Sequence, residues 1–207
     1  YPESGLRVGL QLQPISPQGG DLPIGKQDLI VVSGGARGVT ATCVLALAER
    51  TKANFILLGR TVLIEDPCPA EEDLQSITKA LFARAKEEGK FLQPAGVRRA
   101  ANSVLAGREI RKTLQALEGF GVQARYVSID VSDGQLLEDT LLEIQAELGE
   151  ITGIIHGAGV LADKLISDKK VDDFDWVFNV KVQGMGALLS AVNLSRLKLL
   201  CFFSSVA

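Results

Sequence analysis

The stretch DLIVVSGGARGVT, residues 28–40, decides how the rest of the chain is organised. The four apolar residues at positions 29–32 are typical of a short strand that is buried on both faces. Three glycines come next, Gly34, Gly35 and Gly38. An apolar run with helical character then begins at Val39. A strand, a glycine turn and a helix open the βαβ unit that binds dinucleotides, because glycines let a pyrophosphate approach the backbone at the helix N-terminus.

Composition excludes several classes of function. The chain has 207 residues, 46% of them hydrophobic, which is enough to bury the core of one domain. A net charge of −3 gives no basic surface for nucleic acid or an anionic membrane. No apolar run is long enough to span a bilayer. Three widely spaced cysteines favour a reducing, cytoplasmic location over a disulfide framework or a metal site.

The N-terminal residues 1–27 differ in character from the rest. An alternating segment at 6–12 predicts an edge strand, and a proline- and glycine-rich segment follows it. We interpret residues 1–27 as an arm, or as a linker from a preceding domain. Because the chain begins without Met and stops after a strand-like run, we expect it to be part of a longer protein whose domain continues past residue 207.

The residue after the second strand bears on which dinucleotide would bind. The strand is predicted at residues 54–58, and Arg60 follows it, 22 residues after Gly38. At this spacing an acidic residue binds the ribose 2′-hydroxyl of NAD, whereas a basic residue accommodates the 2′-phosphate of NADP. A lone arginine here is usually a solvated surface residue. With Arg37 in the glycine turn as a second positive charge, the pair favours the phosphate.

Strands and helices alternate along the remaining chain. Further strands are predicted at 123–129, 151–155 and 197–203, and helices at 41–50, 135–148 and 172–192. This order predicts an α/β fold, a Rossmann-type doubly wound parallel sheet. Between the second and third strands we expect a helical insertion at about residues 66–105, with helices at 71–88 and 97–105. A crossover helix at 108–119 would follow it.

Five motifs in this order resemble the short-chain dehydrogenase/reductase family. SGGARGVT at 33–40 is similar to the family's T-G-x-x-x-G-x-G turn, with Thr40 in place of the last glycine. Asp130-Val131 resembles the pair that contacts adenine, and HGAG at 156–159 resembles N-N-A-G. NVKVQG at 179–184 and FSSV at 203–206 resemble segments that carry catalytic residues. The H-x-A-G form, the K-V-x-G segment and the insertion resemble the ketoreductase domains of polyketide and polyunsaturated fatty acid synthases.

The resemblance implies particular site residues. Cofactor binding would fall to the glycine turn, the arginines and the motif residues: Gly34, Gly35, Arg37, Gly38, Val39, Arg60, Asp130, Val131, Gly157, Ala158 and Gly159. Ser205 would polarise the substrate carbonyl, with Ser204 as the alternative, and Lys181 would lower the pKa of a catalytic Tyr. That Tyr is absent, because only Tyr1 and Tyr126 occur and neither follows Ser205. His156 would be a structural or cofactor-side residue rather than a base.

The resemblance also implies a function and partners. We expect NADPH-dependent reduction of a β-ketoacyl thioester on an acyl carrier protein, within a synthase whose neighbouring domains contact this one. Two alternatives stay open on the sequence. One is a non-catalytic Rossmann scaffold of a synthase, and the other is a free-standing short-chain reductase. The residues after position 207 discriminate between enzyme and scaffold, since the enzyme needs a Tyr there.

Overall fold

A computed structural model describes residues 20–89 and 93–204 of the chain. Within these ranges five strands form one parallel sheet in the order β3-β2-β1-β4-β5. The strands are β1 (Leu29–Ser33), β2 (Asn54–Gly59), β3 (Ala124–Ser128), β4 (Ile151–His156) and β5 (Leu199–Phe202). The segment at 6–12, predicted as an edge strand, lies outside the described residues.

Helices connect the strands and cover the sheet. They are α1 (Gly38–Thr51), α2 (Leu74–Glu87), α3 (Pro94–Gly119), α4 (Gly134–Leu148), α5 (Val171–Phe178) and α6 (Gly184–Ser190). A π-helical segment, Asn179–Gln183, joins α5 to α6, and 3₁₀ turns lie at Ile166–Asp168 and Leu194–Arg196. In the described part of the chain, no helix is both long enough and apolar enough to cross a membrane.

Two apolar clusters lie on opposite faces of the sheet. Every residue of β1 is buried, because its side chains alternate between the two faces and both faces are covered. On one face Val31 packs with residues of α4 and α6, and on the other Val32 packs with residues of α1 and α3. The predicted fold class, a doubly wound parallel sheet, is confirmed.

The structure departs from two of the helix predictions. The helices predicted at 97–105 and 108–119 are one continuous helix, α3, and Gly107, between the two predicted ranges, is buried within it. The helix predicted at 172–192 is interrupted by the π-helical segment between α5 and α6. A π turn places one extra residue in the helix, and such turns occur frequently at functional sites.

The residues between β2 and the end of α3 form a small helical unit. Cys68, Ile77, Ala101 and Val104 make up its own apolar cluster. Arg108 fastens the preceding loop to α3, because its Nε donates to the carboxylate of Asp66 at 2.6 Å and its terminal nitrogens donate to the carbonyls of Cys68 and Glu71. This contact holds the pKa of the Asp66 carboxyl below its usual value.

Candidate active site

The carboxyl ends of the strands meet along one edge of the sheet, and a cleft of about 380 Å³ opens there. Ligands of open α/β sheets bind in this position, where the strand order reverses. Here the order reverses between β1 and β4, which come from opposite halves of the chain. The lining includes predicted residues of every motif up to Gly159: Gly34, Arg37, Arg60, Asp130, Val131, Gly157, Ala158 and Gly159.

The glycine turn, residues 34–38, packs directly on the loop after β4. Gly34 has φ +68°, and a Cβ there would lie 3.0 Å from the Cα and N of Ala158. A Cβ on Gly35 would lie 2.5 Å from Cγ1 of Val32. Side chains at these positions would therefore force the turn away from the sheet. The first turn of α1 follows immediately, and its first backbone N–H groups have no partner within the helix.

Thr40 takes the place of a glycine in the family pattern, and the structure shows what accommodates it. Its side chain is buried against Gly157, where a Cβ would lie 2.6 Å from both Cγ2 and Oγ1 of Thr40. The larger residue on α1 thus faces a glycine after β4. Helix α1 and the sheet stay close together because Gly157, which has no side chain, leaves room for the side chain of Thr40.

A chain of hydrogen bonds links β1, β4 and the π-helical segment. Ala158 N–H donates to Ser33 Oγ at 3.2 Å, and Ser33 Oγ lies 2.6 Å from His156 Nδ1. His156 Nε2 lies 3.1 Å from the carbonyl oxygen of Lys181, which can only accept. His156 is therefore protonated on Nε2, and Ser33 donates to Nδ1. Burial and the nearby Lys181 charge lower the pKa of His156, which favours the neutral imidazole that these hydrogen bonds require.

Lys181 lies at the ends of β4 and β5. Its Nζ donates to the carbonyl of Phe203 at 2.9 Å, and its Cε would be 3.0 Å from a Cβ on Gly159. Burial lowers the pKa of the Lys181 ammonium. At Gly184, three residues later, a Cβ would lie 2.8 Å from Cγ2 of Val131, so there is no room for a side chain at this position. The absence of a side chain at Gly184 lets the helix that carries Lys181 approach the end of β3.

The two arginines reach the cleft with different partners. Arg37 Nε donates to Glu109 of α3 at 2.9 Å, and Glu109 also accepts from Gly38 N–H at 2.8 Å. Arg60 lies 3.9 Å from the carboxylate of Asp130, a loose pair between half-exposed side chains. Burial raises the pKa of Asp130, but two hydrogen bonds from Ser132 and the Arg60 charge hold it below its usual value.

Tyr126 closes the outer wall of the cleft. Its hydroxyl donates to the carbonyl of Thr61 at 2.8 Å, and a Cβ on Gly59 would lie 2.9 Å from that hydroxyl. Burial raises the pKa of Tyr126. Tyr126 lies on β3 and Lys181 at the other side of the sheet, between β4 and β5. With strands about 4.8 Å apart, the two are three to four strand spacings from one another, about 14–19 Å. Tyr126 cannot donate a proton at Lys181.

The predicted residues fall into three groups. The cofactor residues line one cleft except Gly35, which lies under the turn, and Gly38 and Val39, which begin α1. Lys181 stands beside the cleft, at the carbonyl of Phe203. Ser205 lies outside the described residues. Glu109 and the wall residue Tyr126 are among the site residues that were not predicted, and no motif marks either of them.

Comparisons with known proteins agree with this geometry. A family model described as "KR domain" matches residues 29–207. The chain is 36% identical over 208 residues to a polyunsaturated fatty acid synthase subunit of Thraustochytrium sp., a match that covers 96% of this chain and 7% of that protein. Its fold is similar to that of a ketoreductase domain from the bacillaene assembly line, at 25% identity and TM-score 0.62, over 90% of this chain and 34% of that one.

A more distant structure shares the fold. Carveol dehydrogenase from Mycobacterium avium, solved in complex with NAD, is 15% identical with a TM-score of 0.55, over 82% of this chain and 49% of that one. The chain therefore spans less than a tenth of the curated synthase it matches and about a third to a half of the solved structures.

Proposed function

The chain belongs to the KR domain family, and from that membership we propose that it reduces a β-ketoacyl group on an acyl carrier protein to the β-hydroxyacyl form with NADPH. It does so as one domain of a polyketide or polyunsaturated fatty acid synthase, in contact with neighbouring synthase domains. The observation that carries the proposal is the position of Lys181. Its ammonium donates to the carbonyl of Phe203 at the end of β5, beside the cleft at the carboxyl edge of the sheet.

The cleft fits a nicotinamide dinucleotide on two observations. Gly34 lines the cleft, and its close contact with Ala158 leaves no room for a side chain that would keep a pyrophosphate from the backbone. The first turn of α1 presents N–H groups and a positive dipole end, which suit a pyrophosphate. The NAD held by the similarly folded carveol dehydrogenase supports a dinucleotide here. Asp130 and Val131 would line the adenine end, with Val39 at the pyrophosphate.

We propose NADPH rather than NADH because of the two arginines. Arg37 and Arg60 line the same cleft, and the residue after the second strand is where the ribose of a dinucleotide lies. Their planar guanidinium groups match the geometry of a phosphate, and no carboxylate stands at position 60 to bind a free 2′-hydroxyl. The alternative, NADH, would bring no phosphate to either guanidinium group.

Reduction of a ketone needs a hydride at carbon and a proton at oxygen. When bound, the cofactor supplies the hydride. Lys181 acts on the proton donor, because a positive charge nearby favours the phenolate and lowers the pKa of a Tyr. The family resemblance implies that this Tyr follows Ser205 in the intact protein. The Ser205 hydroxyl would donate to the substrate carbonyl, two residues beyond the Phe203 oxygen that binds Lys181.

The experiment measures NADPH oxidation by the full-length protein with a β-ketoacyl thioester. We expect Lys181→Ala to lower kcat strongly with little change in the affinity for NADPH. Ser205→Ala should lower kcat by ~10²–10³, as the loss of one carbonyl-polarising donor does, and Ser204→Ala by much less. Exposed Lys169 supplies the matched control, and Lys169→Ala should leave kcat unchanged. Equal activity in Lys181→Ala and the parent protein contradicts the assignment, and no turnover in the parent protein favours a non-catalytic scaffold.

The proposed location is the cytoplasm. All three cysteines are free thiols: Cys43 is exposed, Cys68 buried and Cys201 half-buried. An exposed thiol such as Cys43 persists in a reducing compartment.

A further inference from the structure

Glu109 joins α3 to the glycine turn through two adjacent residues. One carboxylate oxygen accepts from Gly38 N–H at 2.8 Å, and the other accepts from Arg37 Nε at 2.9 Å. One turn later on the same helix, Thr113 donates its hydroxyl to the carbonyl of Ala36 at 3.0 Å. Helix α3 therefore contacts three consecutive residues of the turn, at positions 36, 37 and 38.

The contact with Arg37 uses only one side of the guanidinium group. A guanidinium carries five N–H donors in a fixed plane, and Nε holds one of them. Over residues 20–89 and 93–204, no hydrogen bond or ion pair engages the two terminal nitrogens of Arg37. Arg37 and Arg60 line the same cleft, so these nitrogens remain for an anion bound there.

We infer that Glu109 is a positioning residue for cofactor selection: it fixes Arg37 through Nε so that the terminal nitrogens meet the 2′-phosphate of NADPH. This inference rests on the proposed preference for NADPH. An exposed arginine otherwise samples many rotamers. When only a fraction of the molecules have the arginine in the rotamer that binds the phosphate, the observed affinity is reduced to that fraction of its full value. Glu109 makes this arrangement the populated one before the cofactor arrives.

The same carboxylate could act in the opposite way, as an internal anion that competes with the cofactor. Two observations favour positioning. Glu109 takes the N–H of Gly38 alone, whereas the first turn of a helix offers several N–H groups to a pyrophosphate. It also contacts the inner nitrogen of Arg37, and this leaves the terminal pair for bidentate binding of phosphate. The Gly38 N–H and Arg37 lower the pKa of Glu109, which keeps it ionised.

The two roles predict opposite results in cofactor binding. The dissociation constants of NADPH and NADH are measured with the full-length protein and with Glu109→Ala, Glu109→Gln and Arg37→Ala. If Arg37 without its anchor is competent for about a tenth to a third of the time, Glu109→Ala binds NADPH about three- to tenfold more weakly. NADH binding should change less than twofold, because NADH lacks the 2′-phosphate. Glu109→Gln should fall between, since its amide oxygen still accepts one hydrogen bond.

A double variant and a control complete the test. In Arg37→Ala, adding Glu109→Ala should cause no further loss of NADPH selectivity, because the residue it positions is gone. Glu118, an exposed residue of the same helix, is the matched control, and Glu118→Ala should leave both constants unchanged. Tighter binding of NADPH by Glu109→Ala overturns the inference in favour of competition. Equal weakening for both dinucleotides overturns it in favour of a simple helix cap. Equal affinities in the parent protein instead overturn the proposed preference for NADPH itself.

Discussion

Gly157→Ala tests the contact between α1 and the loop after β4. A Cβ on Gly157 would lie 2.6 Å from Cγ2 and Oγ1 of Thr40 and 3.1 Å from its Cβ. Gly157 is not among the glycines with positive φ, so alanine introduces no backbone strain. The destabilising effect of the substitution is therefore expected to come from the collision with Thr40.

The collision cannot be relieved cheaply. Thr40 is a β-branched residue inside a helix, where its χ1 is restricted, and its side chain is buried. Either α1 or the end of β4 must shift, and overpacking of this kind destabilises a protein by about 1–3 kcal/mol. Because the shift moves the glycine turn relative to Ala158, we expect the dinucleotide affinity of the variant to fall as well.

Urea denaturation followed by far-UV circular dichroism measures the free energy of unfolding. Thr40→Ala removes both colliding atoms, so the double variant should recover most of the stability lost in Gly157→Ala. Gly186→Ala is the matched control, because Gly186 lies in α6 with nothing within 4 Å of its Cβ position. Alanine there should be neutral or stabilise by up to about 1 kcal/mol. Additive effects of Thr40→Ala and Gly157→Ala, coupled by less than about 0.5 kcal/mol, would refute the reasoning.

Three further predictions follow from the site. Arg60→Ala should weaken NADPH binding about tenfold or more with little change for NADH, since a charge-assisted hydrogen bond contributes about 1.5–3 kcal/mol. Equal affinities of the parent protein for NADPH and NADH contradict this prediction. Burial holds the pKa of His156 low, so the unfolded chain binds that proton more tightly, and the free energy of unfolding should fall as the pH drops through about 6.5. His156→Asn should flatten this pH dependence of the free energy of unfolding between about pH 5.5 and 7.5. An unchanged pH dependence in the variant contradicts the assignment. Replacing residues 66–105 by a short turn should leave NADPH binding intact, because the motif residues lie outside that range, and a folded variant that no longer binds shows that the insertion shapes the site.

The sequence predicted the sheet well because the signals that mark a buried strand lie close together along the chain. A buried strand such as β1 is a short apolar run followed by glycine, and both features lie within ten residues of one another. The motif residues at the ends of β1, β3 and β4 were assigned from their resemblance to the short-chain dehydrogenase/reductase family, and each of these motifs is also local. Parallel strands place their carboxyl ends at one edge, so knowing where each strand ends was enough to bring Gly34, Asp130 and Gly157 together.

The contacts that complete the site were not predictable in this way. Glu109 lies 72 residues from Arg37 along the chain, and its only local signal is one more carboxylate on a charged helix. The bond from His156 to the Lys181 carbonyl required the π-helical segment, whose extra residue no periodicity marked. These contacts depend on how elements pack, and one sequence contains no pattern for that packing.

Helix α3 shows how the prediction of two separate helices obscured the connection between the insertion and the site. Gly107, between the two predicted helices, is buried inside α3, where a Cβ would lie 3.8 Å from Cδ2 of Leu63 in the loop after β2. The next two residues, Arg108 and Glu109, form hydrogen bonds with different parts of the chain. Arg108 fastens the loop at Asp66, and Glu109 holds the glycine turn at Gly38. Because one rigid helix carries both contacts, the position of the insertion and the position of the turn are set together, although no residue at 66–105 lies in a dinucleotide motif.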